Sequence, residues 1–196
     1  MAKTLFELAG ADLTPPKLSD ACLVLIDLQN EYRSGPLALH EADRTIANAA
    51  KLLKLARENG APVIHVAHKG REGGMFDRGA ERGAIAAPLA PLPSETVIEK
   101  EMPNAFAGTD LHNRLQETGR KTLVLGGMMT HMCISSTARA ALDLGYKIAI
   151  DADSCTTRDL PDGKGGTIAA TTVHDVALAE LADRFAIVAH GSDAFA

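Results

Sequence analysis

The chain has 196 residues, 46% of them hydrophobic and 23% charged, with no tryptophan and a formal net charge of −5. This composition is typical of a globular protein that can bury one substantial core, so we expect a single domain over residues 1–196. The weak, dispersed charge argues against nucleic acid or an anionic membrane as a partner. MAKTLFELAG lacks the pattern of a secretory signal, and no apolar run is long enough to cross a bilayer.

The 3 cysteines form no CxxC pair, and an odd number cannot all be paired in disulfides. They are Cys22, Cys133 and Cys155. Free thiols are typical of a reducing compartment, so we expect a cytoplasmic location.

Strand-like and helix-like segments alternate along the chain. ACLVLIDLQ predicts a buried strand, ADRTIANAAKLLKLAREN a helix, and PVIHVAH and TVIEK two further strands. TDLHNRLQETG predicts a helix with Thr109 as N-cap, KTLVLGG a fourth strand, and THMCISSTARAALDLG a helix that ends at Gly145. YKIAIDAD, IAATTVHDVALAELADRF and AIVAH follow as strand, helix and sixth strand. The alternation predicts an α/β fold with helices on both faces of a mainly parallel sheet.

One connection, residues 69–95, is exceptionally long and contains many glycines and prolines. Loops of this length in a compact domain often cover a site, bind a partner or move. A plain surface excursion is the alternative.

Two charged residues lie at predicted strand ends, where ligands bind in open α/β sheets. Asp27 directly follows five apolar residues, and Lys100 ends the third strand. Asp27 could cap a loop, or burial could raise its pKa and suit it to general-base work. Lys100 could be solvated. With strand order 3-2-1-4 it would instead start about 10 Å from Asp27, two strand spacings away.

Cys133 follows the fourth strand and its Gly126-Gly127 pair. If Thr130 is the N-cap, Cys133 is the third helical residue, where free N–H groups and the helix dipole favour an anion. That position and a nearby ammonium would lower the thiol pKa. The alternative is a small buried hydrophobe, which is also what we expect of Cys22 and Cys155.

Four segments together resemble the isochorismatase-like superfamily, in its cysteine hydrolase (amidohydrolase) branch. They are VLIDLQNEY, KEMPNAFAGTDL, LVLGGMMTHMCISSTARAALDLGY and DADSCTTRD, and the resemblance covers about residues 21–188. It implies a Rossmann-like three-layer αβα fold with a six-stranded, mainly parallel sheet. It also implies a triad in which Asp27 is the base, Lys100 its positively charged neighbour and Cys133 the nucleophile. A cis peptide is implied at Met128–Met129, with the N–H groups of Met129 and Cys133 forming an oxyanion hole.

The resemblance further implies hydrolysis of a C–N bond in a small amide or N-carbamoyl compound through a thioester. Arg158 would bind a substrate carboxylate, although a surface ion pair is an equal alternative. Three further residues are expected to line the pocket: Gln29, Phe106 and His131, the last of which could also face solvent. Asn104 stands where the family usually has serine. A homodimer or homotetramer is expected.

No cofactor and no metal are expected. The Asp-x-His metal motif of nicotinamidases is missing, and His65 and His68, three apart on a strand, point to opposite faces. Isochorismatases proper lack the cysteine and cleave a vinyl ether without a covalent intermediate, which is one alternative function. Another is a non-catalytic binder of a small anion, with GKGGT at residues 163–167 as a phosphate cradle.

Overall fold

A computed structural model describes residues 2–196. Its strands are β1 (Cys22–Ile26), β2 (Val63–His68), β3 (Thr96–Lys100), β4 (Thr122–Met128), β5 (Lys147–Thr156), β6 (Leu160–Pro161), β7 (Thr167–Ile168) and β8 (Ile187–Ala189). Its α-helices are α1 (Leu5–Leu8), α2 (Ala42–Glu58), α3 (Leu111–Glu117), α4 (Ser135–Asp143) and α5 (Ala170–Arg184). Over residues 2–196, every helix is too short or too polar to span a membrane.

Six strands form one parallel sheet in the order β3-β2-β1-β4-β5-β8. This confirms the predicted α/β fold, and the first four strands have the order 3-2-1-4 under which Lys100 was expected to approach Asp27. The chain order reverses between β1 and β4, so the crevice beyond their carboxyl ends is where such sheets bind ligands.

Alternating residues of each strand point to opposite faces, so the sheet supports two cores. Leu23 and Leu25 of β1 pack with the apolar side of α2. Val24 and Ile26 pack with α3, α4 and α5 on the other face. The result is the expected three-layer αβα arrangement.

Some predicted boundaries were wrong. The third helix begins at Leu111 with Asp110 in the N-cap position, so Thr109 is not the N-cap. Strand β5 has 10 residues and includes Cys155, because a register shift against β4 lets pairing resume beyond the predicted end. The hairpin of β6 and β7 was not predicted, and it removes Ile168 from the start of the last helix.

The 69–95 connection packs against the rest of the protein and is not simply a loop that projects from the surface. Leu89 is fully buried and Phe76 is 8% exposed. The Gln29 side-chain amide donates a 2.7 Å hydrogen bond to the Gly83 carbonyl, and this ties the connection to the residues after β1.

Gly127 lets β4 approach β1 closely at the crevice. Its φ is +149°, and a Cβ atom there would lie 2.0 Å from the Ile26 carbonyl oxygen. No side chain fits in that space, so glycine is required at this position.

Candidate active site

The three side chains singled out at the crevice converge in the folded chain. Lys100 Nζ lies 2.6 Å from Asp27 Oδ2 and 3.4 Å from Cys133 Sγ. Asp27 and Lys100 are completely buried as side chains, and Cys133 is 4% exposed. Strand pairing explains the convergence: Lys100 pairs with the last residue of β2, and Asp27 follows β1, which pairs with β2 and β4.

Asp27 has a left-handed backbone, with φ of +54°. This conformation is uncommon outside glycine, and it occurs here at the residue where β1 turns away from the sheet. Asp27 makes a close ion pair with Lys100, yet neither of its oxygens accepts a hydrogen bond of normal geometry. The carboxylate therefore keeps acceptor capacity for a proton from a neighbour.

Burial of these three side chains favours a resting thiol at Cys133. Burial raises the pKa of Asp27 above its ordinary value, and the charge of Lys100 opposes the rise. Burial, followed by the negative charge of Asp27, raises the pKa of Cys133 to about 12. The expected lowering of the Cys133 pKa is therefore wrong, because loss of hydration outweighs the nearby ammonium.

The turn that carries Cys133 also differs from the prediction. Residues Thr130–Ile134 form a π-helical turn, and α4 begins at Ser135. The N-cap position is Met129, so Thr130 is not the N-cap; its hydroxyl instead lies 2.8 Å from His174 Nδ1. The peptide between Met128 and Met129 is cis, as the resemblance implied.

His68, which the sequence reasoning did not place in the site, contacts Lys100, and Phe76 and Tyr32 pack next to it in turn. His68 Nδ1 lies 3.4 Å from Lys100 Nζ. The ring of Phe76 packs edge-on against His68 and against Tyr32, at centroid distances of 4.9 and 5.1 Å. Burial, together with the charge of Asp27, raises the pKa of Tyr32, so its hydroxyl is protonated. His68 ends β2 at the same sheet edge as the triad, and that position was the available signal.

Two predicted substrate-binding residues have other partners. The Gln29 amide donates to the His68 carbonyl at 3.0 Å as well as to Gly83, and its oxygen accepts from the His68 N–H at 2.8 Å. These hydrogen bonds of the Gln29 side chain are all with backbone groups, and two of them hold His68 at the end of β2 in place. The Phe106 ring stacks on Tyr146 at 6.2 Å.

The other two predicted binding residues lie together. His131 Nδ1 is 2.5 Å from the hydroxyl of the fully buried Thr157. Burial and then the charge of Arg158 lower the pKa of His131. Arg158 donates to the Asp159 carbonyl at 3.2 Å, whereas its Nε is buried without a partner. Throughout residues 2–196 no carboxylate pairs with Arg158, which contradicts the alternative of a surface ion pair.

The suggested phosphate cradle is already filled by the protein itself. Within residues 163–167, the Lys164 and Gly166 N–H groups donate to the Asp162 carboxylate at 2.7 and 2.8 Å. An anion would have to displace that negative charge, so the segment is unsuited to phosphate.

The two histidines considered as metal ligands are engaged separately. His65 Nε2 lies 2.9 Å from Glu95 Oε2, whereas His68 faces Lys100. In the part of the chain from residue 2 to 196, no three His, Cys, Asp or Glu side chains are grouped as metal ligands.

Known proteins share both the sequence and the fold. Residues 21–193 match the isochorismatase domain family. The crystal structure of an isochorismatase from Pseudomonas putida KT2440 is 45% identical and superposes with a TM-score of 0.95 over 100% of both chains. The uncharacterised isochorismatase family protein YddQ of Bacillus subtilis is 45% identical over 141 residues, covering 70% of this chain and 78% of YddQ. A streptothricin hydrolase of Streptomyces noursei is 31% identical over 172 residues, covering 87% of this chain and 68% of the hydrolase.

The chain therefore belongs to the isochorismatase family, and its fold is that of a family of hydrolases.

Proposed function

We propose that this protein is a cysteine-nucleophile hydrolase that cleaves a C–N bond in a small amide or N-carbamoyl compound. One observation carries the proposal: a nearly buried thiol lies 3.4 Å from an ammonium group that is itself 2.6 Å from a buried carboxylate. A general base and a cation beside a thiol are the arrangement that generates a thiolate on demand. The relative that hydrolyses streptothricin supports a hydrolytic role for this sequence type.

Acylation begins with proton transfer from Cys133 to Asp27, because the thiol and not the thiolate is the resting form. The sulfur then attacks the substrate carbonyl carbon, and the carbonyl π electrons move to its oxygen. The N–H groups of Met129 and Cys133 are proposed to hold this oxyanion. When the intermediate collapses, the C–N bond breaks, Asp27 returns the proton to the departing nitrogen, and a thioester remains on Cys133.

Deacylation uses the same groups with water as the nucleophile. Asp27 takes a proton from water, and the hydroxide attacks the thioester carbonyl. The C–S bond breaks, the acid product leaves, and Cys133 regains its proton. Throughout the cycle Lys100 balances the negative charge that alternates between the carboxylate and the sulfur.

Arg158 is the proposed contact for a substrate carboxylate. A guanidinium binds carboxylates in a bidentate manner, and the Nε of Arg158 is buried without a partner. His131 neighbours it and is proposed to contact the same part of the substrate. A small acid that also carries an amide or ureido group fits this pair of functions.

The test compares wild type with Cys133→Ala on primary carboxamides, N-carbamoyl amino acids and the vinyl ether isochorismate. We expect wild type to release ammonia or amine. In Cys133→Ala the rate of release should fall by at least about 10³-fold, the order of magnitude found when a catalytic nucleophile is removed. Vinyl ether cleavage that persists in Cys133→Ala would instead establish the alternative, an isochorismatase-type reaction without a covalent intermediate. Binding without turnover of any compound would favour the non-catalytic binder.

A further inference from the structure

The nitrogen of the buried Lys100 ammonium lies close to three different neighbours. Asp27 Oδ2 is 2.6 Å away in an ion pair, and Cys133 Sγ is 3.4 Å away. His68 Nδ1 is also 3.4 Å away. An ammonium group has three N–H bonds and no acceptor, so His68 completes the set. The mechanism above assigns work to Asp27 and Cys133 but none to this histidine.

The contact fixes the chemical form of His68. Because Lys100 can only donate, Nδ1 must offer its lone pair, and the ring proton must lie on Nε2. Burial and then the charge of Lys100 lower the pKa of His68, which agrees with a neutral ring, while the charge of Glu101 acts in the opposite direction. A neutral acceptor satisfies the third N–H without adding a second negative charge beside Cys133.

Two neighbouring residues, Gln29 and Phe76, hold His68 in place. Its backbone N–H and carbonyl are both bonded by the Gln29 amide, at 2.8 and 3.0 Å. Its ring is packed by Phe76, which lies in the 69–95 connection and also contacts Tyr32. This support resembles that which fixed ligands receive from their neighbours in functional sites.

We propose that His68 is a positioning residue that holds the Lys100 ammonium against Asp27 and Cys133. Its Nδ1 lone pair accepts a hydrogen bond from the third N–H of the ammonium, so that the other two N–H bonds stay directed at the carboxylate and the sulfur. Without it, a buried N–H would be unsatisfied, and the ammonium would turn towards another acceptor. The inference rests on the proposed function for its catalytic meaning, although the geometry concerns the free protein.

The test replaces His68 in two ways. His68→Asn keeps an acceptor oxygen close to the Nδ1 position, whereas His68→Leu keeps much of the bulk and removes the acceptor. The readout is the rate of Cys133 alkylation by iodoacetamide as a function of pH, with peptide mapping by mass spectrometry. Because Lys100 lowers the Cys133 pKa against burial, His68→Leu should move the alkylation profile upward by about one pH unit. His68→Asn should stay within a few tenths of a unit of wild type.

His112→Leu is the matched control. It also removes a half-buried histidine, but this one contacts the Tyr146 hydroxyl at 3.1 Å and does not contact Lys100. Its alkylation profile should coincide with that of wild type, and thermal melts show whether each variant is folded. Equal displacement in both His68 variants would overturn the proposal in favour of a purely structural role. A wild-type profile in His68→Leu would overturn it as well.

Turnover gives a second readout once a substrate is found. His68→Leu should lower kcat about 10-fold with little change in KM, because Lys100 acts on the reacting sulfur and not on binding, and His68→Asn should recover most of kcat. Alkylation needs no substrate, so the two claims fail separately. Absence of amide hydrolysis would defeat the proposed function, while an unshifted alkylation profile would defeat the role of His68.

Discussion

Asp27 is the residue on which the proposed chemistry depends most. It is completely buried, its backbone is left-handed, and its carboxylate forms an ion pair with the Lys100 ammonium at 2.6 Å. Since the Cys133 thiol has a pKa raised to about 12, a base must remove its proton during each turnover. Asp27 is the group placed to do this, so its ionisation should control the rate.

Asp27→Asn should lower kcat/KM by about 10²–10⁴-fold, the usual contribution of a general base. In wild type, activity requires ionised Asp27, and burial raises the pKa of this residue. Activity should therefore fall as the pH drops through that raised value, at a higher pH than an exposed aspartate would give. A pH profile of kcat/KM measures this, and Asp27→Asn that keeps more than a tenth of wild-type activity would contradict the assignment.

The sequence was enough to predict that Asp27, Lys100 and Cys133 lie at one edge of the sheet, but not the direction of the Cys133 pKa shift. Asp27, Lys100 and Cys133 follow or end strands, and parallel strands bring their carboxyl ends to one edge. The direction of the Cys133 pKa depends on how much water the fold excludes, which no local pattern reports. His68 was overlooked because it was considered only as a metal ligand, although the same strand-end argument applies to it.

At the scale of elements, the contact between β1 and β4 shapes the crevice. Gly127 lies at this contact with φ of +149°, and a Cβ atom would come within 2.0 Å of the Ile26 carbonyl oxygen. The presence of glycine at this position of the fourth strand thus has a steric cause. The neighbouring π-helical turn, in contrast, has no sequence signature that distinguishes it from an α-helical start.

Gly127→Ala should destabilise the protein by roughly 3 kcal/mol or more, because strand β1 and β4 must separate to admit the methyl group. Gly145→Ala is the control: its φ is +85° but nothing lies within 4 Å of the added Cβ, so it should cost only about 1 kcal/mol. Urea unfolding of both variants measures the difference. Equal losses would mean that backbone conformation, and not the close approach, determines the effect.

The 69–95 connection is anchored at its far end by Glu95. The Glu95 carboxylate binds the Arg57 guanidinium at 2.8 and 2.9 Å and His65 Nε2 at 2.9 Å. Burial alone would raise its pKa, but the Arg57 guanidinium, the Leu92 N–H and His65 together hold the pKa of Glu95 at about 2. A long loop that looked free in sequence is thus held by an ion pair whose partners lie far apart in the chain.

Glu95→Gln should lower the free energy of unfolding at pH 7 by about 2 kcal/mol, allowing for partial screening by solvent. Because the pKa of Glu95 is lower in the folded protein, its ionisation stabilises the folded state at pH values above the unfolded-state pKa of 4.5. This contribution is lost as the pH falls towards the folded-state pKa of about 2. Wild type should therefore lose its advantage over Glu95→Gln between about pH 5 and pH 2. Urea unfolding at several pH values measures this, and a constant difference between the two proteins would contradict the linkage.

At the scale of the whole molecule, the sequence predicted the layers because continuous apolar runs indicate buried parallel strands and apolar residues at helical spacing indicate the helices between them. The β6–β7 hairpin escaped prediction since its strands have only 2 residues each. The extra length of β5 escaped because a register shift against β4 has no local signal. Pairing between strands, and not the propensity of each segment, determines both features.

The expected homodimer or homotetramer stays a prediction. Light scattering on the purified chain should give two or four times the protomer mass of 20.6 kDa. A mass of one protomer at micromolar concentration would contradict it.

The central claim, a thioester on Cys133, is tested most directly by mass spectrometry of an acid-quenched reaction. Wild type is mixed with a carboxamide or N-carbamoyl acid that it is found to hydrolyse. The reaction is quenched within the first turnover, and the protein is digested with protease. We expect an added mass equal to the acyl or carbamoyl group on the Cys133 peptide, absent from the Cys22 and Cys155 peptides and from Asp27→Asn. Full turnover with Cys133 never modified, and with Cys133→Ala still active, would contradict it.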